Sequence, residues 1–489
     1  MKPPPPTLRL LLPLMVGIML GKVIPISPIL LLIGLATVVV VSFFCSGNGF
    51  PRQNRGFPLC ANLFFVILGC LICQRQLQTD TLPPLEQGTS YAGIVLEPPH
   101  PTKQTLRCTV RTHNHIYTLY FVKDSLSAPP AMGDRILFRQ QARHGKSFVP
   151  KQHWKRIGVA PLTIRQKALR VRERIIGRYA QWGFSSANLP IISALTVGHK
   201  GALTPEQRDE FAHAGIAHVL ALSGLHIGFI WILLQCVLWP LRSHPALRWL
   251  KWALATASMV AFALVAGLAP SVVRAVLMCT LMEFSLLCGR RALSVNTISL
   301  SALIMLCYNP LHLFDVGFQL SFLAVTSIVT FVPWAYRRLR PSNLFLRWMC
   351  SNVVVGIAAQ AGTAPLAMHY FHYFSPYFLL ANLVAALLVP LILYGVLACV
   401  LFHGVAPIPA CLVGVVDTLA TLLRQAAGTV SRLPLSSLDT GDTGWLQTMF
   451  IYLTFVSLVA HLRSRRPIHF ILFLSFLTGL SISILIKVQ

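Results

Sequence analysis

The sequence predicts a polytopic α-helical membrane protein that carries one small all-β module outside the membrane. Three observations lead there. Charged residues make up only 11% of the 489 residues, against about 25% in a soluble domain. That is too few to cover a water-facing surface, and the mean hydropathy of +0.66 agrees. Apolar stretches close to the ~20 residues that cross a bilayer recur along the chain, enough for about 11–13 spanning or re-entrant helices. A single long interval, residues 74–210, interrupts them with hydrophilic sequence of period-two patterning.

Residues 1–74 hold three apolar stretches, 8–24, 29–45 and 59–73. The first has the look of a signal peptide. Two further spans follow it closely and no small-residue cleavage site is evident, so a retained helix is expected. Residues 75–160 form the β module. The runs 89–96, 105–111, 116–122 and 135–138 alternate or are rich in branched and aromatic residues, with Pro, Gly, Asn and His clusters between them. Four or five such short strands suit a small barrel, of which the OB fold is a five-stranded example.

Residues 161–213 are expected to be basic linker helices. Ile164, Ala168, Val171, Ile175, Tyr179 and Trp182 share one helical face, and Arg165, Lys167, Arg170, Arg172, Arg174 and Arg178 fall elsewhere. A helix of this kind can lie on a membrane surface. Residues 214–489 then return to apolar stretches, near 216–239, 252–268, 272–288, 295–308, 313–332, 353–368, 378–401, 446–460 and 470–486. The stretch 408–430 holds Asp417, Arg424 and Gln425, which leaves open whether it spans, re-enters or lies flat.

Charge bias orients these elements. Loops with Arg242, Arg248, Lys251, Arg290, Arg291, Arg337, Arg338, Arg347 and Arg463 lie on one side, and the opposite loops around Asn309, Tyr370 and Asp439 hold almost no cations. The positive-inside rule puts the N-terminus and the basic loops in the cytoplasm of a bacterial inner-membrane protein. Residues 75–210 and the C-terminus are then periplasmic. The twelve cysteines lie almost entirely in apolar stretches and form no paired CxxC pattern. They read as small apolar residues. No metal or cofactor is expected, and His113-Asn114-His115 reads as a turn.

The formal net charge is +27, and part of it lies where the positive-inside rule does not act. From Arg135 to Arg178 there are thirteen Lys or Arg against one acidic residue, Glu173. A polyanion partner accounts for such a bias, since each neutralised phosphate releases counterions. Arg135, Arg139, Arg143, Lys151, Lys155, Arg156, Arg170, Arg172 and Arg174, with Trp154, are the candidate DNA-binding residues. Phe138, Phe148, Tyr179 and Trp182 interleave with them as candidate stacking rings. Attachment to anionic lipid is the competing reading of the same charge.

The stretch "HAGIAHVLALSGLHIG", from His213 to Gly228, places His218, Ser223, Gly224 and His226 inside an apolar span. Polar groups at membrane depth are costly and face a cavity or the protein interior. Ser223-Gly224 is a natural place for the helix to break, and Gly224 with Gly228 offers a small-residue face for close helix approach. Further along, Arg274, Glu283, Asp315, Gln319, Gln360 and Asn382 are polar groups in apolar surroundings. They read either as cavity lining or as helix-to-helix pairs, Arg274 with Asp315 or Glu283. His369, Tyr370, His372, Tyr373 and Tyr377 read as an aromatic belt at the outer interface. Ser223 and His226 lack a third catalytic partner in the sequence.

The segments "ALTVGHK", "HVLALSGLHIG", "PSVVRAVLM", "LFDVGFQLSFLAV", "AAQAGTAPL" and "YFSPYFLLANL" occur in this order. They resemble the membrane domain of the ComEC family of DNA-internalisation competence proteins. The resemblance runs over about residues 89–388 and is most specific in the membrane segments. It implies a channel that passes single-stranded DNA into the cytoplasm during natural transformation. His218, Ser223, Gly224, His226, Arg274, Asp315, Gln319 and Gln360 would form its path or gate. It also implies three partners: a cytoplasmic DNA-translocating ATPase, a periplasmic DNA receptor and a nuclease. Longer members carry a metallo-β-lactamase-like domain, whose metal motif is not found in this sequence, so the nuclease is expected on a separate chain. The disulfide of some relatives cannot form within the outer module, where Cys108 stands alone. The competing functions are a nuclease or hydrolase acting through the OB-like module, and a small-molecule or ion transporter.

Overall fold

Three helices open the chain: α1 (Pro6–Val23), α2 (Pro28–Gly47) and α3 (Gly56–Asp80). The computed structural model describes residues 5–47, 56–80, 85–86, 88–101, 105–113, 115–122, 129–143, 146–150, 153–242, 244–290, 295–339, 343–402 and 408–488. Proline stands in the first turn of α1, where its missing N–H would have had no helical partner. Helix α3 carries on past its apolar stretch to Asp80.

The module is a single curled sheet of β1 (Ser90–Val95), β2 (His100–Pro101), β3 (Thr105–Thr112), β4 (His115–Val122), β5 (Asp134–Arg139), β6 (Gln141–Arg143), β7 (Lys146–Val149) and β8 (Trp154–Val159). Its order is β6-β7-β4-β3-β1-β5-β8, with β2 paired to β3. Alternation decides which side is covered. Val95, Cys108, Val110, Leu119, Phe121, Ile136, Phe138 and Val149 are buried together, and their neighbours point out. The sheet is OB-like, with more strands than the sequence pattern gave. β8 escapes the pattern because it is an edge strand exposed along most of its length, and a register shift at Arg135/Ile136 bends it. His113 is the predicted turn between β3 and β4, at φ 53.

The segment expected as a linker belongs to the helical body. Helix α4 (Ile164–Gln181) begins with a capping box on Thr163 and Gln166. α5 (Leu189–Val197) is buried over most of its length. α6 (Pro205–His213) and the short α7 (Ala217–Leu220) follow. Tyr179, with Ile175 and Trp182 against it, packs into a core with Ile192, Leu195, Phe211, Val389 and Leu423. The lower half of the face set out for a membrane surface therefore covers protein. Ile164 and Val171, from the same face, stay exposed.

The remaining helices are α8 (Gly224–Val237), α9 (Pro245–Val265), α10 (Pro270–Leu287), α11 (Val295–Tyr308), α12 (Val316–Leu339), α13 (Leu344–Phe371), α14 (Phe378–Leu401), α15 (Ile408–Ser431), α16 (Trp445–Ser464) and α17 (Pro467–Val488). Among the described residues nine helices are long and apolar enough to cross a membrane, and four shorter apolar helices accompany them. Ile29, Leu30, Leu59, Leu344 and Leu401 are more than 60% exposed, as side chains facing lipid would be. The chain is thus a multi-pass inner-membrane protein.

The open question over 408–430 resolves into a full-length helix. Val413, Val416, Ala420, Leu423, Ala427 and Val430 form its buried stripe within the core that includes α14. Asp417, which made the sequence ambiguous, accepts bonds from the Ser185 N–H and hydroxyl at 3.1 Å each and from Asn188 Nδ2. The chain also returns at β9 (Tyr373–Phe374), which pairs with β10 (Leu438–Asp439) in a small clasp.

Candidate functional site

The span expected over 216–239 is discontinuous. Helix α7 ends at Leu220 and α8 starts at Gly224. At about 1.5 Å per residue, α8 is some 20 Å long and cannot cross hydrocarbon alone. Ser223 is its N-cap, and His226, three residues on, reaches back to it. The Ser223 N–H donates to His226 Nδ1 at 3.2 Å, the two side chains meet at 3.0 Å, and the Leu225 N–H donates to Ser223 Oγ at 3.3 Å. Because Nδ1 accepts, the neutral ring carries its proton on Nε2. His226 is fully buried and Nε2 has no partner. The Ser/His pair is thus a helix cap, and His218 remains accessible on α7.

The small-residue face does not operate as expected. A Cβ on Gly224 would sit 3.8 Å from Ala275, an ordinary contact, and one on Gly228 would meet nothing. Close approach occurs elsewhere, at Gly362 in "AAQAGTAPL". A side chain there would collide with Ser327 and, at 2.9 Å, with the Leu323 carbonyl of α12.

The polar residues of the bundle sort into two groups. Glu283 accepts from Gln235 Nε2 at 2.7 Å and Trp231 Nε1 at 3.3 Å, and Lys251 lies 3.5 Å away. This set joins α8, α9 and α10, and it uses Glu283 without Arg274. The second group lies near the start of α10 and α12. Asp315 Oδ1 caps α12, accepting the Phe318 N–H at 2.7 Å. Gln319 donates to the Leu313 carbonyl at 2.8 Å and accepts from Tyr370 Oη at 3.2 Å. Arg274 borders the same spot, since a Cβ on Gly317 would lie 3.1 Å from Asp315 Oδ1 and 3.6 Å from Arg274 Nη2. Arg274 is buried, yet its Nε and Nη1 find no hydrogen-bond partner, and no carboxylate stands within ion-pair distance among the described residues. Asp315 is the carboxylate whose charge reaches Arg274, from beyond ion-pair distance. Gln360 is half-buried on α13.

The outer cations divide as well. Arg135, Arg139 and Lys155 stand exposed on β5 and β8. Arg139 Nε donates to Ser90 Oγ at 2.9 Å. Arg156 is committed to Asp134 at 2.6 Å. Arg170 and Arg174 are exposed on α4, and Arg172 is partly buried. Arg143 lies on β6, and Lys151 falls outside the described residues. Most of the expected stacking rings turn out to be core. Phe138 and Tyr179 are 1% and 2% exposed. Trp154 packs edge-on to Phe121 at 5.7 Å, and Trp182 packs on Tyr179 at 5.6 Å. A curled sheet this small needs its large rings inside. Phe148, beside Tyr120 at 5.5 Å, is partly open, as are Trp154 and Trp182 on their outer sides.

Nor are the residues set out as an outer belt free. His369 Nδ1 lies 2.5 Å from the Thr443 carbonyl and its ring packs at a tilt against Trp445, 4.1 Å between centroids. Tyr377 Oη donates to the Pro434 carbonyl.

A feature the sequence did not reveal joins the module to the body. Between them lies a cavity of about 560 Å³, walled by Glu97, His100 and Arg107 from the module. Arg165 and Arg172 of α4, the His199–Lys200 loop after α5 and Arg208 of α6 form the other wall. Its floor is Ala217, Leu220 and Ala221 of α7 with Ala266, Gly267 and Ala269 before α10. Burial and the neighbouring Arg107 and Arg172 hold His100 below the ordinary imidazole range, and burial with Arg172 does the same for His199. Arg172 is already a candidate from the basic helix, and only the fold brings it together with the other lining residues.

Comparison with known proteins points the same way as the segment order. The family described as "Competence protein" matches residues 195–465, more than half of the chain. "ComE operon protein 3" of Bacillus subtilis (strain 168) is 30% identical over 226 residues, covering 44% of this chain and 26% of that protein. An "Uncharacterized protein" of Aquifex aeolicus (strain VF5) is 29% identical over 238 residues, 48% of this chain and 49% of that protein. The match thus spans half or less of these relatives. No solved structure matches.

Proposed function

Since the chain belongs to the competence protein family, we propose that it passes single-stranded DNA across the inner membrane into the cytoplasm, acting as the conduit. The observation that carries this reading is the interrupted helix at Leu220–Gly224. Simple anchoring would use an unbroken apolar helix. Here the backbone opens within an apolar stretch, which is tolerated where it lines protein or water, as in transporters whose broken helices aim free backbone groups at the substrate.

Arg274 supports the same reading. A buried guanidinium whose nearby carboxylate, Asp315, stands beyond ion-pair distance is held at a cost. A passing phosphate would supply the missing acceptors, and the carboxylates nearby are engaged in a helix cap or with Lys251. The exposed cations of β5, β8 and α4 would gather the strand outside. The proposed partners are a periplasmic DNA receptor that delivers the strand, a nuclease and a cytoplasmic ATPase.

The test is a strain lacking this chain, scored separately for labelled DNA reaching the periplasm and for donor markers reaching the chromosome. The expected outcome is intact periplasmic uptake with marker transfer lost. Marker transfer at the parental rate would overturn the proposal.

A further inference from the structure

The junction cavity gathers five permanent cations, Arg107, Arg165, Arg172, Lys200 and Arg208, against one carboxylate, Glu97. Two of the five are already occupied. Arg165 pairs with Glu97 at 2.6 Å, and Arg208 Nη2 donates to the Lys200 carbonyl at 2.9 Å. Arg107, Arg172 and the Lys200 ammonium have no carboxylate within ion-pair distance among the described residues, and Arg172 Nε is buried without a hydrogen-bond partner.

We infer that this cavity is a binding site for the phosphodiester backbone of one nucleic-acid strand, held by Arg107, Arg172 and Lys200. The inference rests on the DNA-transfer reading and names the place where the outer module hands the strand to the helical body.

Four features of the cavity argue for it. The first is electrostatic. Burial lowers the pKa of Arg172 and Lys200 from their usual values, so the fold holds these charges at a cost that a bound anion offsets. The second is shape. The floor is alanine and glycine apart from Leu220, and Gly267, at φ +80, sits so close to Arg172 that a Cβ would lie 3.0 Å from Nη1. The small floor leaves the guanidinium edge open to a ligand. The third is size. A volume in the small-ligand range of roughly 300–1,000 Å³ takes a nucleotide or two of a single strand and excludes a duplex. The fourth is position. The floor residues Ala217–Ala221 run straight into the helix break, and Ser271 Oγ donates to the Leu222 carbonyl at 2.7 Å, tying the start of α10 to that break.

A phospholipid headgroup shares the phosphate chemistry. Three cations from β3, α4 and the loop after α5, without an ion-pair partner among the described residues, exceed the single charge of one headgroup, and a whole wall comes from the β module. A strand presents one phosphate per nucleotide and matches several cations at once.

The experiment uses the full chain in nanodiscs and a fluorescein-labelled oligothymidylate. Arg107→Gln with Lys200→Gln should weaken binding about tenfold or more at physiological salt and lower the log–log salt slope by about 1.4, two single-strand phosphate contacts. Arg107→Lys with Lys200→Arg keeps the charges and should bind close to the parent, which guards against a fold defect in the glutamine pair. Unchanged affinity and slope in the glutamine pair would overturn the site. So would competition by added phosphatidylglycerol that vanishes in the glutamine pair, because that result assigns the cavity to lipid. In cells, marker transfer lost in the deletion strain but normal in the glutamine pair would overturn the site and leave the DNA-transfer reading standing. Transfer unaffected by the deletion would remove both.

Discussion

At the scale of single residues, the Ser223–His226 cap starts a helix inside an apolar stretch by giving its first N–H groups side-chain acceptors. The imidazole accepts the Ser223 N–H from the third helical position, a place where Glu or Gln usually reaches back to an N-cap. His226→Gln should therefore keep the cap and most DNA transfer. His226→Ala, losing about 1 kcal/mol of cap, should lower transfer at normal membrane levels of the protein. Equal transfer in both variants would detach the cap from the conduit. His100 and His199 carry a different prediction. His100 faces Glu97, Arg107 and Arg172, and His199 faces Arg172 and His100. Their folded pKa values lie below the unfolded value of about 6.5, so both are neutral at pH 7.5 and gain charge on acidification. Affinity for oligothymidylate should rise as pH falls from about 7.5 to 5.5. The free fold should lose stability over the same range, because the unfolded chain binds more protons there. Bound strand should offset that loss in a thermal melt. His100→Gln with His199→Gln should flatten both pH trends, and a variant with the parental trends would refute this account.

At the scale of elements, the helix crossing at Gly362 carries the third prediction. Tyr452 Oη also donates to the Gly362 carbonyl at 2.8 Å, so α12, α13 and α16 all meet at one point. Gly362→Val should force α12 and α13 apart at a cost of about 1–3 kcal/mol, seen as a lower melting temperature in detergent, and Gly228→Ala should leave that temperature unchanged because no neighbour faces it. Both glycines sit in motif-bearing stretches, and their sequences give no hint of the difference. What was legible followed from burial on one side. β1, β3, β4 and β5 alternate because one face covers a core, and the break at Ser223-Gly224 shows because polar residues and glycine interrupt leucine. What was hidden depended on distant partners. α15 resisted assignment because Asp417 is satisfied by Ser185, 232 residues away. The stacking role given to Phe138 and Tyr179 failed because their own cores needed them. The junction cavity was invisible because its lining comes from several separate segments that only the fold brings together.

At the scale of the whole molecule, the two ends of the helical body differ in chemistry, and the difference fixes an orientation. One end collects the β module, the cation-lined cavity, the Ala266–Ala269 turn and the β9–β10 clasp. The other collects the aromatic-anchored arginines. Arg242 lies over Trp239 at 4.7 Å and Arg338 over Trp334 at 4.9 Å. Arg463 reaches Phe331 and Trp334 and donates to the Thr330 carbonyl at 2.9 Å. The helix path is consistent with this division, since α8, α10 and α12 all run from the cavity end to the arginine end and α9 and α13 run back. Short loops obey the positive-inside rule, whereas a long translocated domain does not. The arginine end is thus predicted to be cytoplasmic, and the basic β module periplasmic in spite of its charge. Alkaline phosphatase fused after residue 120 should be active, and fusions after residues 290 and 339 should be inactive. The reverse pattern would place the cavity in the cytoplasm. Incoming DNA would then meet the arginine end first, and the hand-off from module to broken helix could not belong to entry.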